Sequence, residues 1–374
     1  MIYFDNAATS WPKPRAVEEA VKRLFREPYG NPGRGGHAAA MRAAETVYRA
    51  RLKAAELFGA KGPHLVCFTG GCTESLNAAI SGAVRYGMKV MTGTTEHNSV
   101  IRPLIRAGAD ISYFDSLSDE ETILGQIRAG LLSGVSAVVC AWASNVFPTV
   151  LPIRRIGALC REHGAVFIVD AAQAAGIYDI NVDTDNIDIL CAPAHKGLYG
   201  VTGCGITVFS EGYDVRSHPP LTVGGSGADP YPAYMPDRLP ERFEAGTLPL
   251  LPIAALSAGI DFVRSTGIAA IRAHEESISA AILDSLSGVS GVTFYRPSYG
   301  PLLCFNIDGK APEETAALLD SHGICARAGM HCAPGAHKYT APDGSGAVRI
   351  SFSVFNTEEE AEYFCDVIKD VIRL

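Results

Sequence analysis

Asp170 and Lys196 are the residues of this chain whose types and settings point most directly to chemistry. Asp170 closes the run Ala165-Val-Phe-Ile-Val. That run is apolar and β-branched, the pattern of a strand buried on both faces of a parallel sheet. The next apolar run, Ile187 to Ala192, leads into His195-Lys196-Gly197. A carboxylate and an amine at the C-terminal ends of buried strands stand where open α/β sheets receive their ligands. Burying either without a partner is costly, so a bound group should meet both.

A lysine amine condenses with an aldehyde. A carboxylate facing a pyridine nitrogen keeps it protonated and makes the ring an electron sink. Pyridoxal 5'-phosphate satisfies both residues at once. Taken singly, Asp170 reads equally well as a helix cap and Lys196 as a solvated loop lysine. Gln173, one turn after Asp170, and His195, beside the lysine, favour the joint reading.

Asp170-x-x-Gln173 followed by His195-Lys196 resembles the class V branch of fold-type I pyridoxal phosphate enzymes. The resemblance runs nearly end to end. It takes in Tyr3-Phe-Asp-Asn-Ala-Ala-Thr9, Gly71-Cys-Thr-Glu-Ser-Leu-Asn77, Thr95-Glu-His97, Ser144-Asn145, Arg242-Phe-Glu-Ala-Gly-Thr247 and Val348-Arg-Ile-Ser351. Its sharpest part is Arg327-Ala-Gly-Met-His-Cys-Ala333, which is similar to the nucleophile loop of the cysteine desulfurases grouped with selenocysteine lyases.

The resemblance implies roles for particular residues. Lys196 would carry the cofactor, with Asp170 at its ring nitrogen and Gln173 beside it. His97 would stack on the ring and move protons. Asn145 would touch cofactor and substrate carboxylate. Arg349 would clamp that carboxylate, a task suited to a planar guanidinium, and Arg327 would serve the same pocket. Gly70-Gly71-Cys72-Thr73 opens a helix, where backbone N–H groups and the dipole hold phosphate. Relatives carry two hydroxyl residues in this turn. Here one is Cys72, which leaves Thr73 as the better ligand and Cys72 as a weak S–H donor. Pro193 stands where relatives have a phosphate-binding serine, which shifts that work toward His195 and backbone donors. Thr247 and Gly224-Gly225 match segments that cross to a neighbouring subunit, implying a homodimer with shared sites. Asn31-Pro-Gly-Arg-Gly-Gly-His-Ala38 contains a superficial dinucleotide fingerprint, but no strand precedes it. It resembles instead the family's loop at the substrate entrance, with His37 toward the substrate, Arg34 in the loop, and Gly33 in place of a histidine.

Cys332 separates the possible reactions. A thiolate attacks sulfur well if its surroundings lower its pKa; Arg327, His331 and His337 are near in sequence and are expected to do so. Its Gly/Ala/Pro-rich surroundings are expected to form a mobile arm rather than core. The family reading is then a desulfurase that converts L-cysteine to L-alanine, leaves a persulfide on Cys332, and passes it to an acceptor protein. A selenocysteine lyase or cysteine sulfinate desulfinase would share every residue named. A class V transaminase or epimerase would make Cys332 incidental. A dead scaffold that binds partners is a different class, disfavoured by intact Lys196, Asp170 and Arg349.

These side chains need a frame. From His64 to Phe209, strands expected at 65–69, 89–92, 111–114, 137–141, 166–170, 187–191 and 205–209 alternate with helical stretches, a βαβ rhythm. The fold class expected is α/β, a fold-type I transferase with a mostly parallel central sheet and a smaller α+β C-terminal domain. Residues 15–251 would form the large domain, and 1–14 with 252–374 the small one. The Pro/Gly-rich stretch 217–240 lacks periodicity and is long for a plain connection, as functional loops are. The 374 residues, 47% of them hydrophobic, suffice for two domains sharing a substantial core. Net charge is −8 and no long basic run appears, which argues against a nucleic-acid partner. The N-terminus shows no secretory pattern, and prolines break the most apolar stretch, 137–153, so neither export nor a membrane is expected and the location expected is cytoplasmic. The ten cysteines show no zinc-site spacing, and no metal is expected.

Overall fold

The computed structural model describes residues 1–33, 35–227, 233–340 and 344–373. A short strand β1 (Ile2–Tyr3) is followed by helices α1 (Arg15–Arg26) and α2 (Ala38–Leu57). Strands and helices then alternate: β2 (Val66–Thr69), α3 (Cys72–Ala83), β3 (Lys89–Gly93), α4 (Asn98–Arg106), β4 (Asp110–Phe114), α5 (Glu120–Leu132) and β5 (Ala137–Ala141). The alternation continues through α6 (Ile153–His163), β6 (Val166–Asp170), β7 (Ile189–Pro193) and β8 (Gly205–Phe209). Helices α7 (Leu250–Thr266) and α8 (Ile268–Ser285) lead to β9 (Val292–Phe294), β10 (Leu302–Ile307), α9 (Pro312–Ser321), β11 (Ile324–Cys325), β12 (Arg327–Gly329), β13 (Ala347–Ser351) and α10 (Glu358–Arg373).

Seven strands form the central sheet in the order β2-β8-β7-β6-β5-β3-β4. All neighbours from β7 to β4 are parallel, and β8 runs antiparallel to both β7 and β2. The mostly parallel α/β sheet is thus as expected. Its strands read as unbroken apolar runs because both faces are covered. Phe167 and Val169 face one core with α2, α5, α6 and α7, whereas Ile168 and Ile189 face another with α3 and α4. Burying each such side chain stabilises by about 1.5–3 kcal/mol.

The C-terminal part is α+β: a four-stranded antiparallel sheet, β12-β13-β10-β9, covered by α8 and α10. Phe4 returns from the N-terminus into its core, and β1 pairs with β11. Residue 252 lies within α7, whose Ile253, Leu256 and Ile260 pack on the central sheet.

Helix α3 begins at Cys72, inside the turn read as a helix opening. One strand differs from expectation. Strand β7 spans Ile189–Pro193, because Asp188 is spent bracing β6: its N–H donates to Phe167 O (3.0 Å) and its carboxylate accepts from Phe167 N (2.8 Å). Strand β13 ends at Ser351, and Phe352 N donates to Pro301 O (2.8 Å), extending its pairing with β10 by one residue. No single helix among the described residues is long and apolar enough to cross a membrane.

Candidate active site

The C-terminal ends of β5, β6 and β7 open into a cavity of about 640 Å³, closed on the far side by residues of the antiparallel sheet. Strand β6 delivers Asp170, and the turn after β7 delivers His195 and Lys196. Asp170 is 4% exposed. Its Oδ1 accepts from Ala172 N (2.8 Å) and from the Cys72 thiol (3.5 Å), while Oδ2 has no partner among the described residues. Burial lowers the pKa of Lys196, the nearby Arg349 charge lowers it further, and Asp170 only partly opposes this. The free amine is therefore favoured more than in an ordinary lysine, as a nucleophile or base requires.

His97 caps α4: its Nδ1 accepts from Ser99 N (3.0 Å). That bond assigns the ring proton to Nε2, and burial lowers the pKa, so the neutral ring lines the cavity. His195 is pushed down to about 4 by burial and by the neighbouring Lys196 and Lys13 charges. Its Nδ1 is buried without a partner among the described residues.

The peptide leading into Lys196 is clamped by the N-terminal segment. The carbonyl of His195 receives Ser10 N (3.0 Å), Thr9 Oγ1 (3.1 Å) and Lys13 Nζ (3.0 Å), and Ser10 Oγ donates to Lys196 O (2.9 Å). Sequence reading did not single out Ser10 or Lys13. Their signal was the lysine between Pro12 and Pro14 beside the Asp-Asn-Ala-Ala motif, which reads locally as turn chemistry.

Helix α3 starts at the cavity wall immediately after Gly71. Thr73 Oγ1 lies 2.8 Å from Ser99 Oγ, which places two hydroxyls from two helix starts together. Ser99 was also missed, because it sits two residues past the histidine that drew notice. The turn needs Gly205 beside it: a Cβ there would lie 2.4 Å from the carbonyl carbon of Gly71. Gln173 donates to Ala7 O (3.1 Å) and lines the cavity.

On the opposite wall Arg327 and Arg349 are paired across β12 and β13. Arg349 is 2% exposed. It donates from Nη1 to Asn145 O (2.9 Å) and from Nη2 to Asp5 Oδ1 (2.8 Å), and its Nε is buried without a partner among the described residues. Asp5 is a functional neighbour that sequence reading left unassigned. Asn145 in turn donates from Nδ2 to His331 O (2.6 Å), tying the carboxylate clamp to the cysteine loop.

Cys332 is exposed at the cavity mouth. Two expectations about it need correction. The loop is anchored rather than a free arm. Cys332 O accepts from Asn98 N (2.7 Å), His331 O from Asn145, and Gly335 packs so close to Thr94 that a Cβ would lie 2.4 Å from its carbonyl oxygen. His331 and Cys332 both hold left-handed φ values, 49° and 58°, a conformation non-glycine residues adopt only when their surroundings enforce it. Second, the two histidines supply no charge to the thiol. His331 is bonded at both ring nitrogens, to His337 Nε2 (3.1 Å) and Arg327 O (3.1 Å), and burial pushes its pKa down to about 3. His337 is lowered by burial as well. The third expected helper, Arg327, lines the cavity.

Two expected site residues lie elsewhere. His37 is exposed and caps α2, its Nδ1 accepting from Ala40 N (3.3 Å). Thr247 is exposed and accepts from Asn31 Nδ2 (3.2 Å). Neither lines the cavity of its own chain. Arg34 lies outside the described residues, as does part of the 217–240 segment. Among the described residues no group of three acidic, histidine or cysteine side chains could hold a metal ion.

The cavity fits pyridoxal 5'-phosphate. It offers a lysine amine shifted toward neutrality, a helix start and, among the described residues, a carboxylate oxygen and a histidine nitrogen without partners. Residues 2–364 match the sequence profile of the aminotransferase class-V family. The chain belongs to that family. Among class-V relatives, a probable cysteine desulfurase of Methanothermobacter thermautotrophicus is 31% identical over 383 residues, covering 99% of this chain and 94% of the relative. A cysteine desulfurase of Salmonella agona is 30% identical, covering 97% of this chain and 91% of its own. The apo structure of a cysteine desulfurase from Thermococcus onnurineus superposes with a TM-score of 0.90 at 30% identity, over 100% of this chain and 94% of that one.

Proposed function

We infer that this class-V chain is a pyridoxal phosphate-dependent cysteine desulfurase, which takes L-cysteine to L-alanine and receives the sulfur on Cys332. The observation that carries the reading is the exposed Cys332 thiol at the mouth of the cavity that also holds Lys196 and Asp170. Lys196 would hold the cofactor, Asp170 its ring nitrogen, and the start of α3 with Thr73 and His195 its phosphate. When bound, the cofactor draws electron density from the substrate α-carbon.

The protein groups do the rest. The orphaned Nε of Arg349 gives the substrate carboxylate a donor, and Asp5 and Asn145 hold the guanidinium in place. Lys196 Nζ, shifted toward the free amine, takes the α-proton. His97 keeps its Nε2 for moving a proton, since Nδ1 is fixed to Ser99 N. Cys332 Sγ bonds to the substrate sulfur as the substrate Cβ–S bond breaks; the electron pair stays on carbon and is protonated, so cysteine and the Cys332 thiol become alanine and a Cys332 persulfide. Mass spectrometry of the Cys332 peptide after incubation with cysteine, without reductant, tests this: one added sulfur is expected, and none would refute it.

We propose further that two copies share their sites, that an acceptor protein takes the sulfur, and that the enzyme works in the cytoplasm. Thr247, remote from the cavity of its own chain, and the exposed Phe25, Met41 and Tyr48 on α1 and α2 support a second copy. Exposure of Cys332 supports hand-over to another protein. Ten free thiols fit a reducing compartment.

A further inference from the structure

Cys72 is where this chain departs from its family's pattern of hydroxyl residues, and the structure gives it a specific contact. It is the first residue of α3, and its thiol reaches Asp170 Oδ1 at 3.5 Å. The same oxygen accepts from Ala172 N at 2.8 Å. Two donors, one at the first residue of a helix and one just after a strand, therefore hold one oxygen of the carboxylate. Rotation about the Asp170 side chain would break both. The other oxygen has no protein partner among the described residues.

We propose that Cys72 is a positioning residue for Asp170: its S–H fixes Oδ1 so that Oδ2 is the oxygen presented to the protonated ring nitrogen of the cofactor. The proposal rests on the reading of Asp170 given above. It requires a protonated thiol. Burial raises the Cys72 pKa well above the ordinary thiol range, and the Asp170 charge raises it further, so the proton stays available for donation. A thiol donates weakly, but a donor to an ionised acceptor is stronger than a neutral pair. The contact also couples two parts of the site. The helix start that would hold the phosphate and the carboxylate that would hold the ring nitrogen become one bonded unit. A hydroxyl directed at the phosphate, as the family pattern implies, would not do this.

The test is Cys72→Ala and Cys72→Ser in the holoenzyme, with Asp170→Asn as control. In the infrared, the S–H stretch lost in Cys72→Ala should lie at the low frequency of a hydrogen-bonded thiol, and should move up in Asp170→Asn. In Cys72→Ala the pH midpoint of the visible band of the lysine-bound cofactor should shift. Its kcat should fall by roughly three- to tenfold, the scale of one hydrogen bond, with KM for cysteine unchanged. Cys72→Ser should recover part of both. A free-thiol frequency, or a normal kcat and midpoint in Cys72→Ala, overturns the proposal. So does weaker cofactor binding with normal kcat once loaded, because Cys72 would then serve the phosphate. If Asp170→Asn itself turns over normally, the reading of Asp170 falls; if Asp170→Asn is inactive and Cys72→Ala is normal, only the Cys72 assignment falls.

Discussion

Asp5 and Arg349 are 344 residues apart in sequence and form an ion pair of 2.8 Å across the cavity wall. The pair orients a buried guanidinium from two sides, because Asn145 O takes the other amino group. The Nε is buried with no partner among the described residues, and Arg349 lines the cavity that a substrate carboxylate would enter.

Arg349→Lys keeps the charge but loses this fork. One ammonium cannot satisfy Asp5, Asn145 O and a substrate carboxylate in the planar arrangement. KM for cysteine should rise by roughly tenfold or more, about 1.4 kcal/mol of lost binding, with a smaller change in kcat. Steady-state kinetics checks this; an unchanged KM would move the carboxylate site to Arg327.

Reducing the holoenzyme with borohydride should add the phosphopyridoxyl mass to the peptide containing Lys196. Peptide mapping reads the result. A label on Lys13, the half-buried lysine bonded to His195 O, would contradict the assignment.

Cys332→Ala should still bind cysteine, because binding uses Lys196 and the arginine clamp. Alanine formation from cysteine should drop by more than roughly a hundredfold, the scale of losing a reacting group. Selenocysteine and cysteine sulfinate should be spared, since their leaving groups do not need a thiol to attack them. Measuring alanine from all three substrates decides the matter; equal activity on all three would make Cys332 a bystander.

Glu96 sets a pH dependence of stability. It is buried beside the site, both oxygens accept from Ala141 N (3.1 and 3.0 Å), and burial pushes its pKa up to about 8 from 4.5. Between those values the unfolded chain loses this proton and the folded chain keeps it. Stability from this group therefore falls as pH rises through the window, by at most about 1.4 kcal/mol per pH unit. Glu96→Gln keeps an acceptor for Ala141 N and cannot ionise. Thermal unfolding of the two proteins should match near pH 5, with the variant gaining relative stability by pH 8. Parallel curves would show that Glu96 does not titrate in this way.

The sequence by itself determined the parallel sheet and the ligand end of it. Runs such as Val166–Asp170 are apolar on both faces, so their placement inside the sheet and the position of Asp170 at its edge follow from local pattern. Lys196, His97 and Cys332 stood out through short motifs that resemble the family's, and the folded chain brings all three to one cavity. Tertiary structure decided what those residues touch. The Asp5–Arg349 pair, the Lys13 clamp on His195 and the Cys72–Asp170 contact join segments that no local pattern connects. The anchoring of the cysteine loop was also hidden. Gly, Ala and Pro near Cys332 read as freedom, but small residues equally allow close approach, and Gly335 against Thr94 uses them that way. Nor could adjacency in sequence show that His331 and His337 bond to each other; burial and pairing, which exist only in the folded chain, keep them neutral.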